Sequence, residues 1–293
     1  EIADLGIRNI RFANGVMLNL KKTDFEDNRV RYSLRIDGGE LHFGKNNAPL
    51  ARLMGSAYVS GGLVAHDIED LRSLLAGTTV SPSFSVADNY FGSYGAVAPA
   101  DLERQLQVMA AYTKSPAYSA NALRLFRRPL PEIYSTLDAT PGSALSVNVG
   151  KVMTDNDPRF SLAPLETMQS VDFEMLKTAL SDALAVNRLE IALVGDIDAD
   201  AAIASVGRTF GALPPRKTSG DNYDEAKRTA WANASGNFDI PHKGEANQLG
   251  WRRVWTTTDD TNQKRTQTMD LLARIVTLRL TDELREKLGA TYG

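Results

Sequence analysis

The chain has 293 residues, 43% of them apolar, with 33 Lys and Arg against 36 Asp and Glu for a formal net charge of -3. That size can bury a sizeable core in two domains or one and a part, and the interspersed charge gives no long-range attraction to nucleic acid or anionic lipid. The absence of cysteine excludes disulfides, thiol nucleophiles and Cys-ligated zinc and suits cytoplasm and periplasm equally, while no apolar run reaches the length of a bilayer span and residues 1–20 hold no signal-peptide core.

Asn14-Gly15, between the apolar-rich stretches Ile7 to Ala13 and Val16 to Leu20, predicts a tight hairpin. In the strand that follows, Val30, Tyr32, Leu34 and Ile36 alternate with Arg29, Arg31, Ser33 and Arg35, so one face is buried and the other is solvated or a basic strip facing substrate. Helices are expected over Ala48 to Val59 and over Ile68 to Ala76, the second capped by Asp67 and closed by Gly77. Thr79 to Ala87 and Tyr90 to Val97 read as paired strands turned at Asp88-Asn89.

Pro99 and Asp101 open a helix in which Leu102, Leu106, Met109 and Tyr112 share a core face. Short helices and loops are expected between Ser115 and Pro164. A helix behind a cap at Ser170 then carries Phe173, Leu176, Leu180 and Leu184, followed by a buried strand Leu189 to Val194. The next helix, Ala199 to Phe210, stops at Gly211 and Pro214-Pro215. The polar stretch Arg216 to Thr229 has a linker's composition. Beyond it, Phe238 to Thr256 predicts extended segments with Leu249, Trp251 and Trp255 inward, and Gln263 to Leu288 one helix or two abutting ones.

The final stretch, Leu278 to Gly293, bears most on function. Its helical period runs through Leu284 and Leu288, Gly289 stands where a left-handed C-terminal residue belongs, and Ala290-Thr291-Tyr292 would begin a strand. Arg285 and Tyr292 are thereby thrown toward one place. Taken alone, an Arg in a last helical turn complements the macrodipole and a Tyr opening a strand packs. This segment, together with Phe12 to Phe25 and Ala192 to Pro214, resembles the insulinase/pitrilysin family of zinc metallopeptidases, mitochondrial processing peptidase-like, over nearly the whole chain.

That family binds zinc through H-x-x-E-H on one helix. The motif is missing here, where the histidines are His42, His66 and His242. With Gly61-Gly62 as anchor, the family's ligand helix aligns with the stretch beginning at Ala51, so that Arg52 and Ser56 stand at the His positions and Gly55 at the Glu position. The resemblance therefore implies the zinc-free C-terminal half: no cofactor in this chain, zinc in the other half of the parent protein, and no activity from this chain alone. His66-Asp67-Ile68-Glu69-Asp70 mimics the zinc motif with a terminal carboxylate but reads more simply as helix N-terminal acids. Asp196-Ile197-Asp198-Ala199-Asp200 starts like a calcium loop, yet has Ala201 for the Gly and Gly207 for the Glu. Asn233-Ala234-Ser235 fits a glycosylation acceptor by pattern only.

The fold the resemblance implies is α+β, a mixed, largely antiparallel sheet flanked by helices. The expected organisation is a complete repeat over 1–215, a linker over 216–236 and the start of a second repeat over 237–293. The chain opens at Glu1 and stops at Gly293 as a strand would begin, as expected of a piece of a longer polypeptide. In the family, related repeats close around a chamber, and an Arg and a Tyr in a motif like R-x-x-L-G-A-x-Y hydrogen-bond the peptide beside the zinc; Arg285 and Tyr292 match it. The implied function is the substrate-binding, catalytically silent half of a zinc metallopeptidase acting on unfolded peptides, in the periplasm ahead of the cytoplasm. Its partner is a zinc-bearing half in the same polypeptide or a separate subunit. The rival is a non-catalytic scaffold subunit with no part in cleavage.

Overall fold

The computed structural model describes residues 3–229, 236–255, 261–287 and 289, and the chain forms two compact units, Glu1–Gly250 and Trp251–Gly293. In the first unit, β1 (Arg8–Arg11) and β2 (Met17–Lys22) form the hairpin around Asn14-Gly15. Gly15 takes φ +91°, which a side chain resists, and a Cβ there would lie 2.8 Å from the Arg216 carbonyl oxygen. The Asn14 amide donates to the carbonyls of Phe210 and Leu213 at 2.8 and 2.9 Å, so the turn also ties down a segment two hundred residues later.

β3 (Val30–Asp37) buries alternate residues as its pattern requires. It leads into α1 (Gly39–Phe43), α2 (Ala48–Ala57) and α3 (Ile68–Leu74). Asp67 caps α3 by accepting from the backbone N–H groups of Glu69 and Asp70. β4 (Ser85–Val86) pairs with β5 (Tyr90–Val97), and β5 leads into α4 (Leu102–Lys114). The region of weak periodicity folds as α5 (Ala120–Arg127), α6 (Leu130–Ser135) and α7 (Pro141–Met153), the last opened by a Thr140–Ser143 capping box. There follow α8 (Leu165–Ser170), α9 (Phe173–Val186), β6 (Leu189–Gly195) and α10 (Ala199–Arg208).

The strands make one mixed sheet in the order β1-β2-β6-β3-β5-β4, parallel only between β2 and β6. One face carries Leu18, Leu20, Leu34, Ile36, Ile191 and Leu193 into the core, where α2, α4, α9 and α10 present Leu53, Met54, Leu106, Met109, Leu176, Leu180 and Val206. On the other face Lys21, Arg31, Ser33, Arg35 and Tyr94 are exposed or half-buried. The chain is thus α+β with a largely antiparallel sheet.

Three local expectations fail. Thr79 to Phe84 is not a strand: Thr79 N–H donates to the Asp101 carboxylate at 2.8 Å and Ser81 N–H to the Gln105 side chain at 3.0 Å, so side chains at the start of α4 and just before it replace a strand neighbour, and Pro82 has no N–H to give. The cap of α9 is Asp172, which accepts from Met175 N–H at 2.8 Å, rather than Ser170, whose hydroxyl turns back to the Thr167 carbonyl. Leu249, Trp251 and Trp255 are exposed instead of inward, because the described residues 236–255 form no strand that would give them a sheet face.

Residues 216–228 are anchored to the first unit. The buried Arg216 guanidinium donates to the carbonyls of Leu184 and Asn187 at 2.7 and 3.1 Å, and burial pushes its pKa down to about 10. A short α11 (Asp224–Lys227) follows. The first compact unit runs on to Gly250.

Candidate functional site

In the second unit, α12 (Gln263–Thr281) starts at Asn262, whose side chain accepts from Arg265 N–H at 3.1 Å. Its spacing then loosens into a π turn over Asp282–Lys287, and the Gly289 N–H returns to the Arg285 carbonyl at 3.1 Å. Gly289 adopts φ +59°, the left-handed conformation its position predicted. Arg285 thus stands on an exposed turn of widened helix, its carbonyl accepting from the left-handed Gly289. Single π turns recur at functional sites because they re-aim side chains, and nothing in the sequence announced this one. Tyr292, the other half of the expected pair, lies outside the described residues, as does Asn233-Ala234-Ser235.

The helix aligned with the family's zinc ligands is α2. Leu50, Leu53, Met54 and Ala57 face the core, whereas Arg52, Gly55 and Ser56 lie on the exposed side. The positions meant for ligands do face outward, but a guanidinium has no lone pair for a metal and glycine has no side chain. This donor set does not fit zinc. Arg52 and Gly55 instead border a cavity of about 200 Å3 that also meets Glu40, Val86 and Arg159. Burial, followed by the nearby Asp88, raises the Glu40 carboxyl pKa, and Arg52 offsets part of that rise. Beside the cavity, Arg159 grips both Asp157 oxygens at 2.9 and 2.6 Å, and Lys45 reaches the same carboxylate at 3.2 Å. The Arg159 hydrogen bonds, more than any other factor, hold Asp157 well below the usual carboxylate range.

The other candidates are engaged structurally. His42 hydrogen-bonds the Ala179 carbonyl at 2.7 Å and packs edge-on against Phe91, and His242 bonds the Gln248 carbonyl at 3.1 Å. Near the exposed His66, Asp67 is occupied as a cap and Glu69 pairs with Arg72 at 2.5 Å. In the calcium-like run, Asp196 accepts from Asn28 N–H, Asp198 caps α10 through Ala201 N–H and Asp200 faces Arg8, so the three acids serve different partners. Among the described residues, no cluster of three or more His, Cys, Asp or Glu could hold a metal ion, and no helix is long and apolar enough to cross a membrane.

Residues 170–293 match the family model described as the peptidase M16 inactive domain. Comparison with curated protein sequences finds no significant match. Among solved structures, the peptidase M16 inactive domain from Pseudomonas fluorescens is 18% identical at a TM-score of 0.60, covering 74% of this chain and 53% of that one. The first half of the periplasmic protease PqqL from Escherichia coli is 14% identical at a TM-score of 0.56, covering 74% and 48%. Whole PqqL is 13% identical at 0.60, covering 96% of this chain and 32% of its own. The chain therefore spans about half the length of the first solved relatives it matches. Identities this low speak for fold alone, and both a first half and an inactive domain share it, so the half is distinguished by the family model. Residues 170–293 match the peptidase M16 inactive domain, and the chain as a whole has the fold of an M16 peptidase half.

Proposed function

We propose that this chain is the substrate-binding, catalytically silent half of an insulinase-type zinc metallopeptidase that cleaves unfolded peptides in a closed chamber. The observation that carries this reading is the inactive-domain match, which runs through the segment holding Arg285 and Tyr292. Arg285 brings a permanent charge with planar donors, and Tyr292 a phenol seven residues later in the sequence. Aimed at a scissile carbonyl, the two would orient the peptide and stabilise the oxyanion that forms on water attack. Zinc, held by the other half in the same polypeptide or in a partner subunit, would supply the activated water. The repeat boundaries near 215 and 236 and a periplasmic setting like that of PqqL belong to the same proposal.

The test is cleavage of a quenched fluorescent peptide by the intact parent protein, wild type against Tyr292→Phe, at saturating zinc. Turnover is expected to fall about tenfold or more with little change in peptide binding, the size of a lost transition-state hydrogen bond. Unchanged turnover would reduce Tyr292 to packing and leave a scaffold subunit as the function.

A further inference from the structure

We propose that the cavity beside α2 is a binding site for a terminal carboxylate on a small apolar group, the C-terminal residue of an extended peptide, with Arg52 as the carboxylate's partner. The cavity holds about 200 Å3, room on the order of one residue, and its apolar walls come from Ala48, Pro49, Ala51, Val86 and Ala163. Two guanidinium groups reach it. That of Arg159 is already committed, to Asp157 and to the backbone carbonyls of Ala226 and Arg228. Arg52 makes no hydrogen bond or ion pair among the described residues and lies on the exposed side of α2. A planar fork with no hydrogen bond of its own, at the rim of a cavity that mixes apolar and polar walls, is complementary to a carboxylate, which it can grip with two parallel hydrogen bonds.

Peptide is the favoured carrier because of what borders the cavity. Val86 belongs to β4, the last strand of the sheet, whose far edge has no strand neighbour among the described residues. A segment added along that edge would run its end past Val86 into the cavity, main chain setting its direction and the cavity selecting a terminal apolar residue. This choice of carrier rests on the peptidase reading above; the choice of a carboxylate rests on the cavity. Glu40 at the same rim works against an incoming anion while ionised. The charged groups facing it are Asp88 from the β4–β5 turn, Arg52 from α2 and Arg159 across the cavity. Its raised pKa makes protonation the easier way to relieve that repulsion, so the affinity for a carboxylate should rise as pH falls toward the carboxylate range.

Isothermal titration of the full chain with acetyl-Ala-Ala-Val as free acid, the same peptide as its C-terminal amide, and isobutyrate provides the test. The free acid should bind about tenfold or more tightly than the amide, the span of a charge-assisted hydrogen bond. Arg52→Met should bring the acid down to the amide, with circular dichroism confirming an intact fold. Glu40→Gln should tighten the acid and flatten its pH dependence. Equal binding of acid and amide, or an acid preference that survives Arg52→Met, would overturn the site. Isobutyrate binding as tightly as the peptide acid would overturn the peptide as carrier. Because Arg285 and Tyr292 lie in the other unit, a Tyr292→Phe chain with normal acid preference but normal parent turnover would fail the clamp proposal and leave this site standing.

Discussion

Helices α9 and α12 are both rich in apolar side chains, and the structure treats them in opposite ways. Leu176 and Leu180 of α9 are 0% exposed beneath the sheet, whereas Leu272 and Ile275 of α12 are both 49% exposed. Apolar spacing specifies which side chains want cover, and burial follows only where another element offers a matching face. The first unit supplies that face through β3, β6 and their neighbours. In the second, the described residues are one long helix with its π turn and a short stretch without regular structure. Stability therefore resides mainly in the first unit, while the residues with the strongest functional expectation lie in the second.

Matched truncations measure that contrast at its widest. Leu34→Ala removes a fully buried side chain from the middle of the sheet and should cost about 2–5 kcal/mol, the usual range for a buried Leu. Leu272→Ala takes away a side chain with little to lose and should stay within about 0.5 kcal/mol. Urea denaturation of both variants decides: comparable losses would mean that α12 packs far more tightly than its exposure shows.

Function should show the reverse order. Arg285→Ala in the parent protein is expected to lower turnover about 100- to 1000-fold, in line with loss of an oxyanion-directed donor, while the denaturation midpoint of the first unit stays put. Steady-state kinetics on a peptide substrate beside urea melts would separate the two effects. A stability loss as large as that of Leu34→Ala would make Arg285 a structural residue.

Between these extremes lies the Asp157–Arg159 pair, both side chains nearly buried and hydrogen-bonded to each other. Asp157→Asn should cost about 1.5–3 kcal/mol, the range for a charged hydrogen bond, and loosen residues 224–228, which Arg159 holds through the Ala226 and Arg228 carbonyls. The pH dependence has a definite sign. The folded carboxyl sits below its ordinary value of 3.8, so its stabilisation is fully present above that value and is lost as pH falls through the lower folded one. Wild type should thus lose stability at acid pH with a steeper slope than Asp157→Asn; parallel slopes in urea titrations between neutral pH and pH 3 would refute the assignment.

Legibility in the sequence followed the same division. The alternation in β3, the face of α4, the Asp67 cap and the left-handed Gly289 were readable because each depends on neighbours within a few residues. Thr79 to Phe84 was misread because its backbone partners, Asp101 and Gln105, sit on a helix about twenty residues further on, and β-rich composition cannot reveal that substitution. The cavity at Arg52 brings together α2, β4 and the loop around Arg159, an encounter only the fold produces. The π turn under Arg285 had no residue signature at all.

The finest of these comparisons separates two residues two positions apart. Ser170 and Asp172 both precede α9, and either type can cap a helix. Only Asp172 has extended backbone with its carboxylate accepting from the third residue in, Met175 N–H at 2.8 Å; it is also a charge set against the positive end of the helix. Asp172→Ala should therefore cost about 1 kcal/mol, and Ser170→Ala, which removes only a hydroxyl bonded back to the Thr167 carbonyl, should cost a few tenths at most. Thermal melts of the two single variants suffice, and the reverse order would return the cap to Ser170 and with it the start of the helix that carries Phe173 and Leu176 into the core.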